Sequence, residues 1–345
     1  MATEAIVAPL AQAPVVIAVD VGGSSIKGAL VGADAVVLTT DAVDTPQQSE
    51  AALVEAVVAV ARRLADRALG LGVPAAALGV AAAGVIDEST GIARHGANLL
   101  WRDTALARRL EERIALPTAL IQDARAAAHA EAIFGAGRNS DSFLAVILGT
   151  GVGSAVVMDG RPLRGAHGLA GEIGHLQVDT HRLICGCGGR GCIETVASAS
   201  ALSRRFAAAT GQRIPAEAVV DQMLAGNPIA TRLWADAVAA LATAVAAAVA
   251  VVDCGLVIFG GGMTAAGERL LAPLRKALAQ RLSLGPAPEL VVAALGSAAG
   301  VLGAAAGALA VLGRDDVVDS WRSSPIPKLP AVAPSSADAG RSCSS

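Results

Sequence analysis

Aromatic residues make up only 2% of this 345-residue sequence, although 54% of it is hydrophobic. The core must therefore be built from Ala, Val, Leu and Ile, and few rings remain to stack on bases or sugar faces. No charge dominates: 27 basic residues stand against 30 acidic ones, the net charge is −3, and no long basic run occurs. That disfavours nucleic acid as the main partner. Cysteine is scarce as well. Five in a chain this long do not make a disulfide framework, which indicates a reducing, cytoplasmic setting. The first 13 residues carry no basic n-region and no sustained apolar run, so no secretory signal is expected. The uncharged stretch Ala237–Val252 lies between Asp236 and Asp253 and is mostly alanine. It falls short of the roughly 20 apolar residues of a membrane span and is expected to be a buried helix. A Walker A box is also missing, which excludes a P-loop enzyme.

What is present is an alternation of short apolar runs and longer helical stretches. The runs are Val15–Val19, Ala77–Ala81, Thr118–Ile121, Phe143–Leu148, Leu256–Phe259 and Leu290–Ala293. Glu50–Arg67, Asp103–Arg113 and Arg232–Val252 have helical character and separate them. Continuous apolar strands between helices predict an α/β architecture with covered sheets. Residues 1–13 are expected to form a flexible arm. From Arg314 the composition turns to Ser, Pro and Ala, and residues 314–345 are expected to be a disordered tail.

Two glycine turns of one plan suggest a duplicated α/β domain with a cleft between the copies. Val15–Asp20, Val21-Gly22-Gly23-Ser24-Ser25, then Ile26–Leu30 is strand, hydroxyl-bearing glycine turn, strand. Leu144–Leu148, Gly149-Thr150-Gly151, then Val152–Val157 repeats it. Glycine beside Ser or Thr in a tight turn lets backbone N–H groups approach a phosphate. Asp20, at the end of the first strand, is placed to hold magnesium directly or through water. A third glycine run, Gly260-Gly261-Gly262, follows a strand and could pass close to a nucleotide's sugar or base.

His175, nine residues, then Cys185-Gly-Cys187 and, five residues on, Cys192 offer one imidazole and three thiolates. That is a closed tetrahedral set of the kind structural zinc prefers. Glu172 and Glu194 flank it without being needed by the metal. Gly186-x-Gly188-x-x-Gly191 matches a dinucleotide fingerprint by letter. It is interleaved with cysteines and follows no strand, so it is rejected. Cys254 is expected to be a small buried hydrophobe, and His95, His129, His167 and His181 to have no special chemistry.

Together and in this order, these motifs resemble the ROK family of sugar kinases and sugar-responsive repressors. The resemblance covers roughly Val15 to Gly313. It implies two α/β domains of the actin-like ATPase/hexokinase type, a duplicated ribonuclease-H-like fold, closing on a sugar and ATP. The implied division is a small N-terminal domain over 14–121, completed by a helix near 298–313, and a large domain over 122–297 carrying the zinc loop 175–192. Asp20, Gly22, Gly23, Ser24, Ser25 and Lys27 match the first phosphate motif, and Thr150 and Gly151 fall in the second. Gly261 and Gly262 match the adenosine side. Asn98 falls where relatives contact sugar hydroxyls, and Asp123 falls at the family's catalytic aspartate. Gln122 and Arg125 replace the asparagines that usually flank that aspartate; Arg125 could pair with Asp123 or point away. The resemblance implies an ATP- and magnesium-dependent hexose kinase with structural zinc, above all a glucokinase, in a homodimer or homotetramer. Asn98, Gln122, Asp123, Glu172, His175 and Glu194 would read the sugar. Kinases of N-acetylhexosamine, mannose or fructose, and a non-catalytic sugar binder, are the alternatives. A repressor is disfavoured, because only 14 residues precede the first strand. No nucleic acid or membrane partner is expected.

Overall fold

The structure is a computed structural model that describes residues 14–96, 99–178 and 182–329. It is organised around two five-stranded sheets of the same plan. The first is built from β1 (Val15–Val21), β2 (Ser25–Val31), β3 (Val37–Asp44), β4 (Ala75–Ala82) and β8 (Thr118–Gln122), in the order β3-β2-β1-β4-β8. A small antiparallel sheet of β5 (Val85–Asp87), β6 (Ile92–His95) and β7 (Arg102–Thr104) is inserted between β4 and β8. The second large sheet uses β9 (Phe143–Leu148), β10 (Val152–Met158), β11 (Arg161–Pro162), β12 (Leu256–Gly260) and β13 (Glu289–Val292), in the order β11-β10-β9-β12-β13. In each, a glycine-turn hairpin pairs antiparallel and its first strand then pairs parallel with the next: β1 with β4, β9 with β12.

Both faces of each sheet are covered, which is why its strands are apolar throughout and not alternating. In β1, Val15, Ile17, Val19 and Val21 share a core with α1 (Glu50–Gly70) and α2 (Leu106–Ile114). Val16 and Ala18 point the other way, onto α9 (Ala299–Val311). The second sheet divides likewise. Leu144, Val146 and Leu148 join the core formed with α4 (Glu194–Ala197), α5 (Ala199–Thr210), α6 (Ala216–Leu224), α7 (Pro228–Val252) and α8 (Glu268–Ala279). Phe143 and Ala145 pack on Ala128 and Ala132 of α3 (Asp123–Phe134). Thus α3 lies between the halves, with one face on β10 and another on α9. Close approach is built in: a Cβ on Gly303 of α9 would collide with the Ala126 carbonyl of α3.

The helix of residues 228–252 is long and apolar enough to cross a membrane by length and composition. Its Leu233, Trp234, Leu241 and Val245 nevertheless lie in the second core, as expected of a buried helix. It begins four residues earlier than the sequence suggested, because Asn227 caps it and Pro228 opens it. Cys254 is buried.

The expectation of disorder from Arg314 is corrected. Residues 315–321 form α10 (Asp315–Trp321), whose Val317, Val318 and Trp321 are buried. Trp321 donates from Nε1 to the Ala33 carbonyl at 2.7 Å and stacks obliquely on Phe134. Three apolar side chains on one face are enough to dock a two-turn helix, whatever the composition around them. The expectations for 1–13 and 330–345 lie outside the described residues.

Candidate active site

Asp20 is the penultimate residue of β1, directly opposite Lys27 across the first hairpin. Its even position turns it toward α9, where Gly300 leaves room: a Cβ there would lie 2.5 Å from the carboxylate. Burial, and next the charge of Asp123, push Asp20 up to about 7, partly offset by Lys27. Asp123 opens α3 immediately after β8, and its Oδ1 accepts the Ala124 N–H at 2.8 Å. Burial raises it too, against the pull of that N–H and of Arg125. Both carboxylates line a cavity of about 450 Å³ with Lys27, Glu131, Gly260–Gly262 and Ser297. Gly261 has φ of +86°, and a Cβ there would strike the backbone of Leu148, so this turn requires glycine.

The two glycine turns face one another across an adjoining opening of about 500 Å³, lined by Gly23, Ser24, Gln47 and Thr150. Each is held from behind by its carbonyls. Thr45 Oγ1 donates to Gly22 O at 2.7 Å, Thr45 N to Ser24 O at 3.0 Å and Gln47 Nε2 to Gly23 O at 2.9 Å. In the second turn Ala199 N donates to Gly149 O at 2.9 Å and Ser200 Oγ to Thr150 O at 2.6 Å. Gly22 and Ser25 close the first turn through Gly22 N to Ser25 O and do not line either space. Gly151 gives its open side to Glu194, which would collide with a Cβ there.

Around Asp123 stands a second group of carboxylates. Glu172 is driven up to about 7 by burial and then by Asp123, with Arg125 acting against them and Glu194 with them. Gln122 caps α3 with Oε1 on the Arg125 N–H at 2.8 Å and extends Nε2 to Glu172 Oε1 at 3.4 Å. Glu194 Oε2 accepts Val152 N–H at 3.0 Å, tying α4 to the second hairpin. Asn98 and His181 lie outside the described residues.

Arg125 does not bond Asp123. Its Nε donates to Glu88 Oε1 at 2.6 Å and its Nη1 to Gly168 O at 2.8 Å. Glu88 was missed in the sequence because its partner lies 37 residues away. Glu131 was missed as well. It accepts N–H groups from Ala136, Ala294 and Leu295 at 2.8, 3.2 and 2.9 Å, fastening α3 to the approach to α9. A buried acid amid apolar helix residues was the available signal.

The cysteine loop brings its ligands together. One atom each of His175, Cys185, Cys187 and Cys192 lies within 4.8 Å of every other. His175 Nδ1 to Cys185 Sγ and Cys187 Sγ to Cys192 Sγ are both 3.7 Å. A tetrahedron with Zn–S bonds of about 2.3 Å has edges near 3.7 Å, so this donor set fits a single such metal. Isolated bridges Gln177–Cys192 and Ile184–Arg190 pin the loop. Glu194 touches it as well, 3.5 Å from Cys185 Sγ.

The model of the ROK family matches residues 16–311. The chain belongs to the ROK family. A glucokinase of Thermotoga maritima is 35% identical over 310 residues, covering 84% of this chain and 95% of the relative. An N-acetylmannosamine kinase of Escherichia fergusonii is 35% identical over 296 residues, covering 84% and 96%. Among solved structures, a ROK family glucokinase from Streptomyces griseus in complex with glucose and AMPPNP has a TM-score of 0.74 at 31% identity, covering 85% of this chain and 99% of that one. The paired sheets are the actin-like ATPase fold of these ROK neighbours.

Proposed function

We propose that this ROK protein is an ATP-dependent hexose kinase, first of all a glucokinase, that phosphorylates the sugar 6-hydroxyl. The observation that carries the proposal is the convergence of Asp20, Lys27 and Asp123 on one cavity beside two facing glycine turns. Asp123 is the base. It lies at a helix N-terminus, and its burial raises its proton affinity toward that of a useful acceptor. Gly23, Ser24 and Thr150 offer backbone donors to phosphate oxygens, their turns stiffened by Thr45, Gln47 and Ser200. Gly261 and Gly262 give the nucleotide a flat wall. Magnesium, held by Asp20, would neutralise phosphate charge during transfer.

Gln122, Glu172, His175 and Glu194 read the sugar. Zinc on His175, Cys185, Cys187 and Cys192 would fix the imidazole's tautomer and keep the loop against Glu194. The fit of the four ligand atoms to a tetrahedral metal supports this. The relatives named above act on glucose or on N-acetylmannosamine, so the hexose is the finer question. A coupled ATP assay over glucose, mannose, fructose, N-acetylglucosamine and N-acetylmannosamine tests it. Glucose should give the highest kcat/KM. A preference for an N-acetylated sugar would replace glucokinase by the second reading, and no turnover with any would sink the kinase.

A further inference from the structure

Arg125 sits two residues after Asp123 in the first turn of α3, with its side chain 2% exposed. Its guanidinium bonds reach Glu88 at 2.6 Å, Gly168 O at 2.8 Å and Ile86 O at 3.5 Å. Glu88, 6% exposed, uses the same Oε1 to accept the Gln122 backbone N–H at 3.1 Å, and its Oε2 takes Arg164 Nε at 2.7 Å. One carboxylate thus bonds the backbone just ahead of Asp123, the buried cation just after it, and the strand-to-Glu172 loop. That loop packs tightly here: Gly168 has φ of +70°, and a Cβ on it would lie 2.8 Å from Ile86 O.

We propose that Glu88 is a positioning residue that holds the Arg125 guanidinium off Asp123 and, through the same cation, fastens the loop leading to Glu172. The inference rests on the assignment of Asp123 as base. A buried guanidinium deprived of its carboxylate seeks another. Asp123 and Glu172 are the acids whose proton affinity its charge already lowers without a bond. An ion pair with Arg125 would occupy the oxygens Asp123 needs for the sugar proton. In Glu88→Gln the amide oxygen can still accept the Gln122 backbone N–H, so the change falls on the Arg125 charge.

The test is steady-state kinetics of the full chain with its preferred hexose, for Glu88→Gln, Arg125→Gln and the double variant. Glu88→Gln should lower kcat about 10- to 100-fold, with KM for ATP changed less than about twofold. Arg125→Gln should cost less than about fivefold in kcat, and adding it to Glu88→Gln should restore that level. A simple brace gives the opposite order, the double variant being no better than Glu88→Gln. Arg164→Gln, which touches the same carboxylate but is 67% exposed, should leave kcat near wild type. If Glu88→Gln is insoluble, Glu88→Asp makes the same comparison, because a shorter acid cannot reach Arg125, Arg164 and the Gln122 N–H together. Wild-type kcat in Glu88→Gln, or no recovery in the double variant, overturns the proposal. Should the wild-type protein phosphorylate no hexose, the functional reading fails instead. A crystal structure of Glu88→Gln then decides: Arg125 turned onto Asp123 or Glu172 supports the inference, and Arg125 still on Gly168 and Ile86 refutes it.

Discussion

Asp20 and Asp123 share one cavity in which burial outweighs the pull of Lys27 on the first and of Arg125 on the second, so each carboxylate resists ionisation in the metal-free protein. For Asp20, the folded protein holds the proton up to about pH 7, whereas the unfolded chain releases it near 3.8. Stability from this site is therefore full below the lower value and is lost as pH rises through the upper one. Asp20→Asn removes that loss. Metal-free Asp20→Asn should melt above wild type, by on the order of 5 °C at pH 8, with a gap that widens from pH 4 to 7 and then levels off. The same variant should lose activity with magnesium and ATP. A pH-independent gap in differential scanning fluorimetry would remove the buried charge as its cause. Asp123→Asn keeps the cap on Ala124 but not the base, so kcat should fall by roughly 10²–10⁴ while calorimetric sugar affinity holds. Normal turnover in the pure variant would exclude Asp123 from proton transfer.

At the scale of elements, the strands were legible because they are apolar on both faces, and the glycine turns because hydroxyls accompany them. Phe143–Leu148 was bounded to the residue. The limits came from contacts at long range. Arg125 in the first turn of a helix looks like a threat to Asp123 until Glu88 is seen beside it. The docking of α10 was hidden because Ser- and Pro-rich neighbours mask the Val317, Val318, Trp321 face. The cysteine loop was legible in ligand type, but its contact with Glu194 was not. That contact alters the expected outcome of changing each. Cys187→Ser should reduce zinc to well below one atom per chain in elemental analysis and raise the hexose KM, since His175 loses its brace. Glu194→Gln should retain zinc and still raise that KM, because its amide can stay near Val152 while the charge is gone. Loss of metal from Glu194→Gln with an unchanged KM would assign Glu194 to the metal site instead of the sugar.

For the molecule as a whole, the two sheets are joined through α3 and α9, whose small residues allow backbone contact, and through α10 at the end of the described chain. Trp321 reaches the β2–β3 turn at Ala33 in the first half. Arg322 donates to Ala132 at the end of α3 and to Gly160 in the β10–β11 turn of the second half, each at 3.1 Å. Arg138 in turn donates to the Arg322 carbonyl. This short helix therefore fastens both halves to α3, the element whose first residue is Asp123. Truncating a buried Trp to Ala typically costs about 3–5 kcal/mol, which in a protein of this size corresponds to a melting point lower by roughly 5–15 °C. Trp321→Ala should show that drop by circular dichroism, yet keep most of its kcat at low temperature, because no group of the cavity is touched. Arg322→Ala removes the bonds to Ala132 and Gly160 but leaves Trp321 buried, and should cost less stability. If both variants melt like wild type, the helix merely rests on the surface, and the joint between the halves depends on α3 and α9 alone.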